Sequence, residues 1–338
     1  MNKKARNDIL FPANENGVYK YEYPVINGIK QYVQIRGENK KNPLLLFLHG
    51  GPGGSLAGLA HALQAEWEKR FTVVNWDQRN ACKTYLTNKA EARSIAKSGT
   101  MECYMQDIRE LIAYLHTVCD FDKLILLGFS WGSVIGAEYA KTHPEDIFCY
   151  IGIGQSVNFR DGIEHISEEL SKLIPQSETG AHKKLSAFKA VVPNEPKMTK
   201  ELFRGLRDFS MLGIKYIAKH AKPLPLKAIL HSPFLTFKEK LAMANSDFTL
   251  QDETYTTMLK YDFREDMRFK VPVMFIFGEE DINCPAKLLE SCFDDISAPV
   301  KKLSVISEAS HCCFNDKPEQ VFNELREFSE QAVSSLPK

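Results

Sequence analysis

Long apolar runs are absent from this sequence. Nowhere do about 18 apolar residues follow one another, which is the length that a membrane-spanning helix needs. The basic N-terminal segment Met1–Asp8 is not followed by an apolar stretch long enough for a signal peptide. These absences predict a soluble, cytoplasmic protein.

An excess of charge of either sign is also absent. Lysine and arginine together number 43, and so do aspartate and glutamate. Without a basic field the chain is not expected to bind nucleic acid or an anionic membrane. Its 338 residues, 44% of them apolar, are enough for a globular protein with a large core. A small molecule or a short peptide is the expected partner, and the oligomeric state stays open.

Cysteine is sparse, and its spacing does not favour a metal site. The chain has 8 cysteines and no Cys-x-x-Cys pair. The adjacent Cys312 and Cys313 cannot form a normal zinc site without distant partners. Other cysteines lie in apolar runs such as Ile147–Ile151, so free buried thiols are expected. We expect neither a metal nor a cofactor.

Apolar strands alternate with amphipathic helices in two parts of the chain. The continuous run Leu44–Leu48 is typical of a strand buried on both faces of a parallel sheet, whereas Gln31–Arg36 alternates like a half-exposed strand. From 155 to 269 this rhythm stops, and charged and apolar residues mix at helical spacing between prolines. We therefore predict an α/β core over 1–154 and 270–338, with a mostly parallel central sheet flanked by helices, and an inserted helical cap domain over 155–269. Further predicted strands cover 72–76, 124–127, 148–153, 271–277 and 300–306, and further predicted helices cover 101–119, 131–142 and 317–333.

The segment Gly128–Gly132, Gly-Phe-Ser-Trp-Gly, joins a predicted strand to a predicted helix. Gly-x-Ser-x-Gly often arises by chance, but this context is typical of a nucleophile elbow, a tight strand-to-helix turn that presents a serine. The two glycines remove side chains that would collide around that turn. The helix start directs unsatisfied N–H groups and the positive end of its dipole toward the reacting oxygen. Ser130 is the predicted nucleophile.

A serine nucleophile needs a histidine base and a carboxylate that orients the histidine. With a nucleophile elbow, both partners are expected later in the chain, in loops that follow strands. His311 follows the last predicted strand, and Asp281 follows the one before it. Glu279 and Glu280 compete with Asp281. We favour Asp281, because Gly-x-x-Asp after the penultimate strand is the usual arrangement in folds with a nucleophile elbow. Glu280 is the alternative.

A glycine-rich turn, His49–Ser55, directly follows the apolar run Leu44–Leu48. Such a turn can direct backbone N–H groups at an oxyanion, so the N–H groups of Gly51 and Trp131 are the predicted oxyanion hole. The turn lacks the Gly-Lys-Ser/Thr sequence of a phosphate-binding loop. His49 is interpreted as a structural residue.

With these residues assembled, the chain resembles the α/β-hydrolase superfamily, and more narrowly the proline iminopeptidase family of serine aminopeptidases. The narrower resemblance rests on three segments in combination, His49–Gly54, Asn75–Arg79 and Gly128–Ser133. It covers the predicted core on both sides of the cap. It implies an α/β-hydrolase fold and a serine peptidase that removes an N-terminal residue, typically proline, without metal or cofactor.

The chain departs from that family in two places. The family usually continues Asp-Gln-Arg with Gly-x-Gly-x-Ser, where this chain has Asn80–Thr84, so this loop is expected to differ in shape. Family members also hold the substrate's ammonium with cap carboxylates, one of them commonly within Trp-x-x-Trp-Glu. Here the predicted cap has no tryptophan, and the three tryptophans of the chain are Trp67, Trp76 and Trp131.

Acidic residues near the start of the predicted cap are the candidates for that ammonium site. Glu164 is the one we predict to bind the ammonium, and Gln155 is a predicted residue of the pocket wall. Charged residues on a helical segment more often form a solvated face, which is the competing interpretation for each of them. The acidic candidates are Asp161, Glu164, Glu168 and Glu169.

The leading hypothesis is a serine hydrolase that works through an acyl-enzyme. An aminopeptidase that releases N-terminal proline or another small residue is the first choice. A carboxylesterase, lactonase or amidase that acts on small neutral acyl substrates is the alternative. A ligand receptor that kept the fold without catalysis is the alternative of another class. A serine rather than an aspartate at the elbow argues against haloalkane dehalogenase and epoxide hydrolase chemistry.

Overall fold

The computed structural model describes residues 3–191, 197, 199–243 and 248–334. A central sheet of eight strands runs through the molecule, and two further short strands pair with each other beside it. The strands are β1 (Val18–Glu22), β2 (Val25–Ile26), β3 (Ile29–Lys30), β4 (Val33–Gly37), β5 (Leu44–Leu48), β6 (Thr72–Trp76), β7 (Leu124–Phe129), β8 (Ile147–Ile153), β9 (Val273–Gly278) and β10 (Lys301–Ile306).

The central sheet is mostly parallel, as predicted. Its order is β1-β4-β6-β5-β7-β8-β9-β10, and every neighbouring pair from β6 to β10 is parallel. Only β4 pairs antiparallel with its two neighbours, β1 and β6. Parallel neighbours require crossover connections, and the helices that make them cover the two faces of the sheet.

The helices alternate with strands in the two parts of the chain where the sequence predicts it. The predicted helix 131–142 has the same bounds in the structure, and the predicted helix 101–119 ends one residue earlier. The helices are α1 (Lys3–Leu10), α2 (Ala60–Leu63), α3 (Cys82–Thr87), α4 (Ala92–Ala96), α5 (Met101–Val118), α6 (Trp131–Thr142), α7 (Phe159–Leu173), α8 (Thr179–Val191), α9 (Lys200–Tyr216), α10 (Leu226–Leu230), α11 (Phe237–Met243), α12 (Asp252–Lys260), α13 (Ala286–Glu290), α14 (Cys313–Asp316) and α15 (Pro318–Ser334).

Strand β5 shows why its sequence is continuously apolar. Leu46 and Leu48 pack into the core on the α5 and α6 side of the sheet, whereas Leu45 and Phe47 pack into the core on the α15 side. Successive side chains of a strand point to opposite faces, so a strand covered on both faces needs apolar residues at every position. The sheet therefore buries its central strands completely.

The expectation of a half-exposed strand at Gln31–Arg36 is wrong. All five residues of β4 are buried, because β1, in the polar N-terminal segment, forms the edge of the sheet instead. The polar side chains of β4 find buried partners: Arg36 Nε donates to Glu68 Oε1 at 2.8 Å, and Asn75 Nδ2 donates to Gln34 Oε1 at 3.4 Å. Alternation of polar and apolar residues here reflects internal pairing rather than exposure to solvent.

The chain between β8 and β9, which we call the helical insertion, contains α7 to α12. It has an apolar core of its own, formed by side chains such as Ile166, Leu185 and Phe209. Ile282, from the loop after β9, also belongs to this core. The helical insertion is thereby packed directly on a loop of the sheet.

All 8 cysteines are free, and five of them are buried, in keeping with the expected free buried thiols. No helix within the described ranges combines the length and the apolar character that crossing a bilayer requires.

Candidate active site

Ser130 lies on a tight turn between β7 and α6 with φ 54° and ψ −119°. This backbone conformation is uncommon for any residue with a side chain, and it is the strained geometry of a nucleophile elbow. The turn is held in place by the Ser130 N–H, which donates to the Ile153 carbonyl at 3.0 Å. A Cβ added to Gly132 would lie 2.0 Å from the Leu48 carbonyl oxygen, and one added to Gly128 would lie 2.4 Å from the Gly132 carbonyl oxygen. Only glycine fits at these two positions.

His311 and Asp281 lie in contact, each in the loop that the sequence predicts for it. The Nδ1 atom of His311 is 2.9 Å from Oδ1 and 2.8 Å from Oδ2 of Asp281. An ionised carboxylate only accepts, so Nδ1 carries the proton and Nε2 is left as the acceptor. That is the tautomer in which a histidine acts as a general base toward a serine.

Asp281 is almost fully buried, with 1% of its side chain exposed. Its Oδ1 accepts the backbone N–H groups of Asn283 and Cys284 at 2.9 and 2.8 Å. These two bonds hold the carboxylate in its orientation toward His311.

The competing acids Glu279 and Glu280 contact other groups. Glu280 Oε1 lies 2.6 Å from His220 Nδ1, and Glu280 Oε2 accepts the His220 backbone N–H at 2.9 Å. Glu279 Oε2 accepts the backbone N–H of Glu308 at 3.2 Å. Of the three acids, Asp281 is the one that contacts His311.

Ser130 and His311 line one cavity of about 460 Å³. It lies between the glycine-rich turn after β5, the elbow and the helical insertion, and most of its wall is apolar. Cys284 and Cys312 also line it. Burial raises the pKa of the Cys312 thiol to about 12 and the pKa of the Cys284 thiol well above its usual range, so neither is a thiolate nucleophile at neutral pH. The apolar lining residues are Leu56, Phe129, Trp131, Phe159, Phe203, Leu206, Leu224, Tyr255 and Met258.

Gly51 and Trp131, the predicted oxyanion donors, line the same cavity as Ser130. Neither of their backbone N–H groups donates to another group in the part of the chain that the structure describes. Gly51 has φ +119°, and a Cβ there would lie 2.6 Å from the nitrogens of Gly53 and Gly54. The turn can also approach the elbow closely, because a Cβ on Gly50 would lie only 2.9 Å from the Cβ of Ser130. Two N–H groups are therefore available beside the serine.

Comparisons with known proteins agree with the fold described above. A family model described as alpha/beta hydrolase fold matches residues 43–179. The probable aminopeptidase YbaC of Bacillus subtilis (strain 168) is 26% identical over 305 residues, which cover 89% of this chain and 93% of that protein. A proline iminopeptidase of Mycobacterium smegmatis superposes with a TM-score of 0.66 at 19% identity, covering 93% of this chain and 98% of that one. The chain has the α/β-hydrolase fold and resembles the proline iminopeptidases.

Further solved structures are also similar to this one. An esterase from Exiguobacterium antarcticum superposes with a TM-score of 0.58 at 17% identity, covering 92% of this chain and 99% of that one. At this identity the likeness shows the shared fold.

Two residues that frame the candidate site do not face its cavity, and the first is His49. His49 is buried, and burial lowers the pKa of its imidazole to about 4, so the ring is neutral at neutral pH. Its Nε2 accepts the Gln78 backbone N–H at 3.1 Å, so the proton is on Nδ1, which lies 2.8 Å from the Gly50 carbonyl oxygen. His49 thereby holds the glycine-rich turn.

Gln78, the second, bridges the two segments that carry the predicted oxyanion donors. Its Nε2 donates to the His49 carbonyl at 2.9 Å, and its Oε1 accepts from Trp131 Nε1 at 3.1 Å. One buried amide thus fixes the glycine-rich turn relative to the first residue of α6. Gln78 was not predicted as a site residue from the sequence. The one sequence signal for it is its position in the segment Asn75–Arg79, which was used only to support the family resemblance.

Replacing Gln78 with alanine is expected to lower kcat by about 10- to 100-fold with little change in KM. The reason is that an oxyanion hole works by preorganisation, and removing one whole donor from a serine hydrolase costs roughly 10²- to 10³-fold in kcat. Steady-state kinetics on an activated ester measure the effect. Gln64→Ala is the matched control, since Gln64 is a buried glutamine whose amide contacts Asn75 rather than the turn. An equal loss in both variants would mean that Gln78 only stabilises the fold.

The loop that departs from the family, Asn80–Thr84, keeps a backbone suited to glycine. Asn80 has φ 54° and Cys82 has φ 32°, at the two positions where the family has glycine. Asn80 Nδ2 donates to the carbonyls of Ala92 and Leu250, each at 2.8 Å, which offsets part of the conformational strain. The side chains differ from the family, whereas the φ values remain in the region that glycine favours.

The expected role of Glu164 in substrate binding needs correction. Glu164 lies on the exposed face of α7, and the buried face of that helix is formed by residues such as Ile163, Ile166 and Leu170. The other acidic candidates near the start of the helical insertion also lie outside the cavity wall. Asp161 pairs with Arg264 at 2.7 Å, Glu169 pairs with His165 at 3.4 Å, and Glu168 is exposed.

Gln155 does not line the cavity either, because its amide is used inside the core. Tyr150 OH donates to Gln155 Oε1 at 2.6 Å, and Gln155 Nε2 donates to the carbonyls of Ser133 and Ser156 at 3.3 and 3.1 Å. The next residue, Ser156, is the one that lines the cavity. Gln155 therefore bonds to the first turn of α6, behind the elbow, and does not contact the cavity.

Proposed function

We propose that this chain is a serine hydrolase that cleaves small ester or amide substrates through an acyl-enzyme. The observation that carries the proposal is the meeting of three groups: Ser130 on its strained elbow, His311 in the same cavity, and Asp281 bonded to the histidine. Strained serine geometry without a base, or a base without an orienting acid, would support the function far less.

In the proposed reaction, Ser130 Oγ attacks the substrate carbonyl while Nε2 of His311 takes its proton. The N–H groups of Gly51 and Trp131 stabilise the oxyanion that forms. Histidinium, paired with Asp281, then gives the proton to the leaving alcohol or amine. A water molecule, deprotonated by the same histidine, then attacks the acyl carbonyl; the bond to Ser130 Oγ breaks, the histidine returns the proton to Oγ, and the acid is released.

The helical insertion supplies much of the cavity wall and acts as a cap in this proposal. Phe159 on α7, Phe203 and Leu206 on α9, and Tyr255 and Met258 on α12 all line the cavity. These side chains surround the acyl part of a substrate with apolar surface. The corresponding domain division is a core over 1–154 and 270–338 and a cap over 155–269.

An aminopeptidase that releases N-terminal proline or another small residue is the second candidate. Its support is the resemblance to proteins named as aminopeptidase and proline iminopeptidase. Such an activity needs a group that receives the substrate's ammonium, and a carboxylate is the usual one. No carboxylate is found among the described residues that line the cavity, so the geometry favours a general ester or amide hydrolase.

Rates on three substrates test the proposed function and separate the two candidates. We expect hydrolysis of p-nitrophenyl butyrate to exceed that of prolyl p-nitroanilide, and N-acetylation of the anilide not to abolish its cleavage. A strict need for the free amine would favour the aminopeptidase. Slow or absent turnover of all three with tight ligand retention would contradict the hydrolase and favour a receptor. The cytoplasmic location and the absence of nucleic-acid and membrane partners stay predictions from composition.

A further inference from the structure

Among the described residues that line the cavity with Ser130, Arg207 carries a permanent charge. It lies on α9, where Phe203, Leu206 and Ser210 line the cavity beside it. The remaining polar side chains of the wall are neutral, apart from the catalytic histidine: Ser130, Ser156, Ser210, Tyr255 and Asn283. Within the described ranges, the cavity that holds the nucleophile therefore carries a permanent positive charge and no negative one.

No acid in the described part of the chain neutralises this arginine. Arg207 forms no ion pair and no hydrogen bond with another described residue. Its neighbour Asp208 is directed to Lys184, with 3.7 Å between Oδ1 and Nζ. The Arg207 side chain is exposed, so its guanidinium is free to meet a ligand at the cavity.

Helix α9 is held firmly against the loop that carries the catalytic acid. A Cβ on Gly213 would lie 2.5 Å from Cδ1 of Ile282, the residue that follows Asp281. Phe209 packs on Phe188 with 4.8 Å between ring centroids, inside the core of the helical insertion. Close packing at Phe209 and Gly213 therefore fixes the position of α9, the helix that carries the Arg207 side chain.

From this arrangement we propose that the substrate carries a carboxylate on an apolar body and that Arg207 binds it. The guanidinium matches a carboxylate in shape and can form two parallel hydrogen bonds with it, whereas it repels an ammonium. The apolar wall receives the chain between this carboxylate and the scissile carbonyl. A half-ester or half-amide of a dicarboxylic acid fits this description. The inference rests on the proposed function, because it names the substrate class of the same site.

Three p-nitrophenyl esters of similar length test the inference. They are the hydrogen adipate, which ends in a carboxylate; the methyl adipate, which is neutral; and the trimethylammoniopentanoate, which ends in a cation. We expect kcat/KM for the hydrogen adipate to exceed that for the methyl adipate by on the order of tenfold, mainly through KM, as expected for one charged hydrogen-bond pair open to solvent. The cationic ester should be the poorest of the three, and added salt should reduce the differences.

Variants of α9 then assign the preference to one side chain. In Arg207→Gln the ratio of kcat/KM for the hydrogen adipate to kcat/KM for the methyl adipate should fall to about one. Arg207→Lys should retain part of the preference. Arg204→Gln is the matched control, because Arg204 is exposed on the same helix but does not line the cavity, and it should keep the full ratio.

The outcomes separate the inference from the proposed function. Hydrolysis of the methyl adipate without any preference for the hydrogen adipate overturns the inference and leaves the hydrolase intact. A preference that survives in Arg207→Gln, or that is lost equally in Arg204→Gln, also overturns it. If none of the three esters is hydrolysed, the proposed function fails and the inference fails with it.

Discussion

Replacing Ser130 with alanine is expected to lower kcat for an activated ester by at least about 10³-fold. In the proposed mechanism the serine oxygen forms the acyl-enzyme, so without it only the oxyanion donors and the binding surface would accelerate hydrolysis. Alanine at position 130 is expected to keep the elbow conformation. The turn depends on Gly128, on Gly132 and on the backbone hydrogen bonds of residue 130, which the substitution leaves in place. Initial rates with p-nitrophenyl butyrate, and thermal unfolding of both proteins, measure the effect.

Covalent labelling provides an independent measurement of the same prediction. A fluorophosphonate should add its mass to the peptide that contains Ser130, and Ser130→Ala should not be labelled. Ser210→Ala is the matched control, because Ser210 lines the same cavity on α9. It should be labelled at the rate of the unaltered protein. Undiminished turnover in Ser130→Ala, or a label on another residue, would show that a different group is the nucleophile.

Asp281→Asn is expected to lower kcat by about 10³- to 10⁴-fold, with little effect on folding. The amide oxygen can keep the two backbone N–H bonds that Oδ1 now accepts from Asn283 and Cys284. The amide nitrogen then takes the place of Oδ2 and donates to Nδ1 of His311. The imidazole is held in the opposite tautomer, with its proton on Nε2, and it can no longer accept a proton from Ser130.

Glu280→Gln is the control for that prediction. It makes the same chemical change on the neighbouring acid, which contacts His220 and not His311. We expect kcat within about twofold of the unaltered protein, as for a substitution outside the site. Steady-state kinetics and circular dichroism of both variants show which of the two acids, Asp281 or Glu280, orients His311. A large loss in Glu280→Gln together with a small loss in Asp281→Asn would assign the orienting role to Glu280.

Much of the sheet could be predicted from the sequence, because its central strands are buried on both faces. Leu44–Leu48 must be apolar at each position for that reason, and the structure has a strand with the same bounds. When a buried strand contains polar side chains that pair with buried polar partners, inferring exposure from its polar residues gives the wrong result. Arg36 and Gln34 made β4 resemble a half-exposed strand, although both side chains are buried against Glu68 and Asn75.

Contacts within the site depend on residues that are far apart in the sequence. Asp281 and Glu280 are adjacent in the chain, yet one contacts His311 and the other contacts His220 from the helical insertion. Both acids lie in the turn after β9, and Ile282 of the same turn packs closely against Gly213 of α9. Gln78 likewise gains its role only when the turn after β5 and the start of α6 lie on either side of it.

By itself the sequence determined the α/β-hydrolase fold, the nucleophile elbow and the order of the candidate triad, because these depend on local patterns: strand runs, glycines at a tight turn, and loops that follow strands. The tertiary structure alone decided which side chains meet in the cavity. In the structure Glu164 is exposed to solvent, Gln155 is bonded inside the core, and Arg207 is the permanently charged side chain among the described residues that line the cavity. The lining of a cavity formed by distant helices depends on how those helices pack, and single-sequence patterns do not encode that packing.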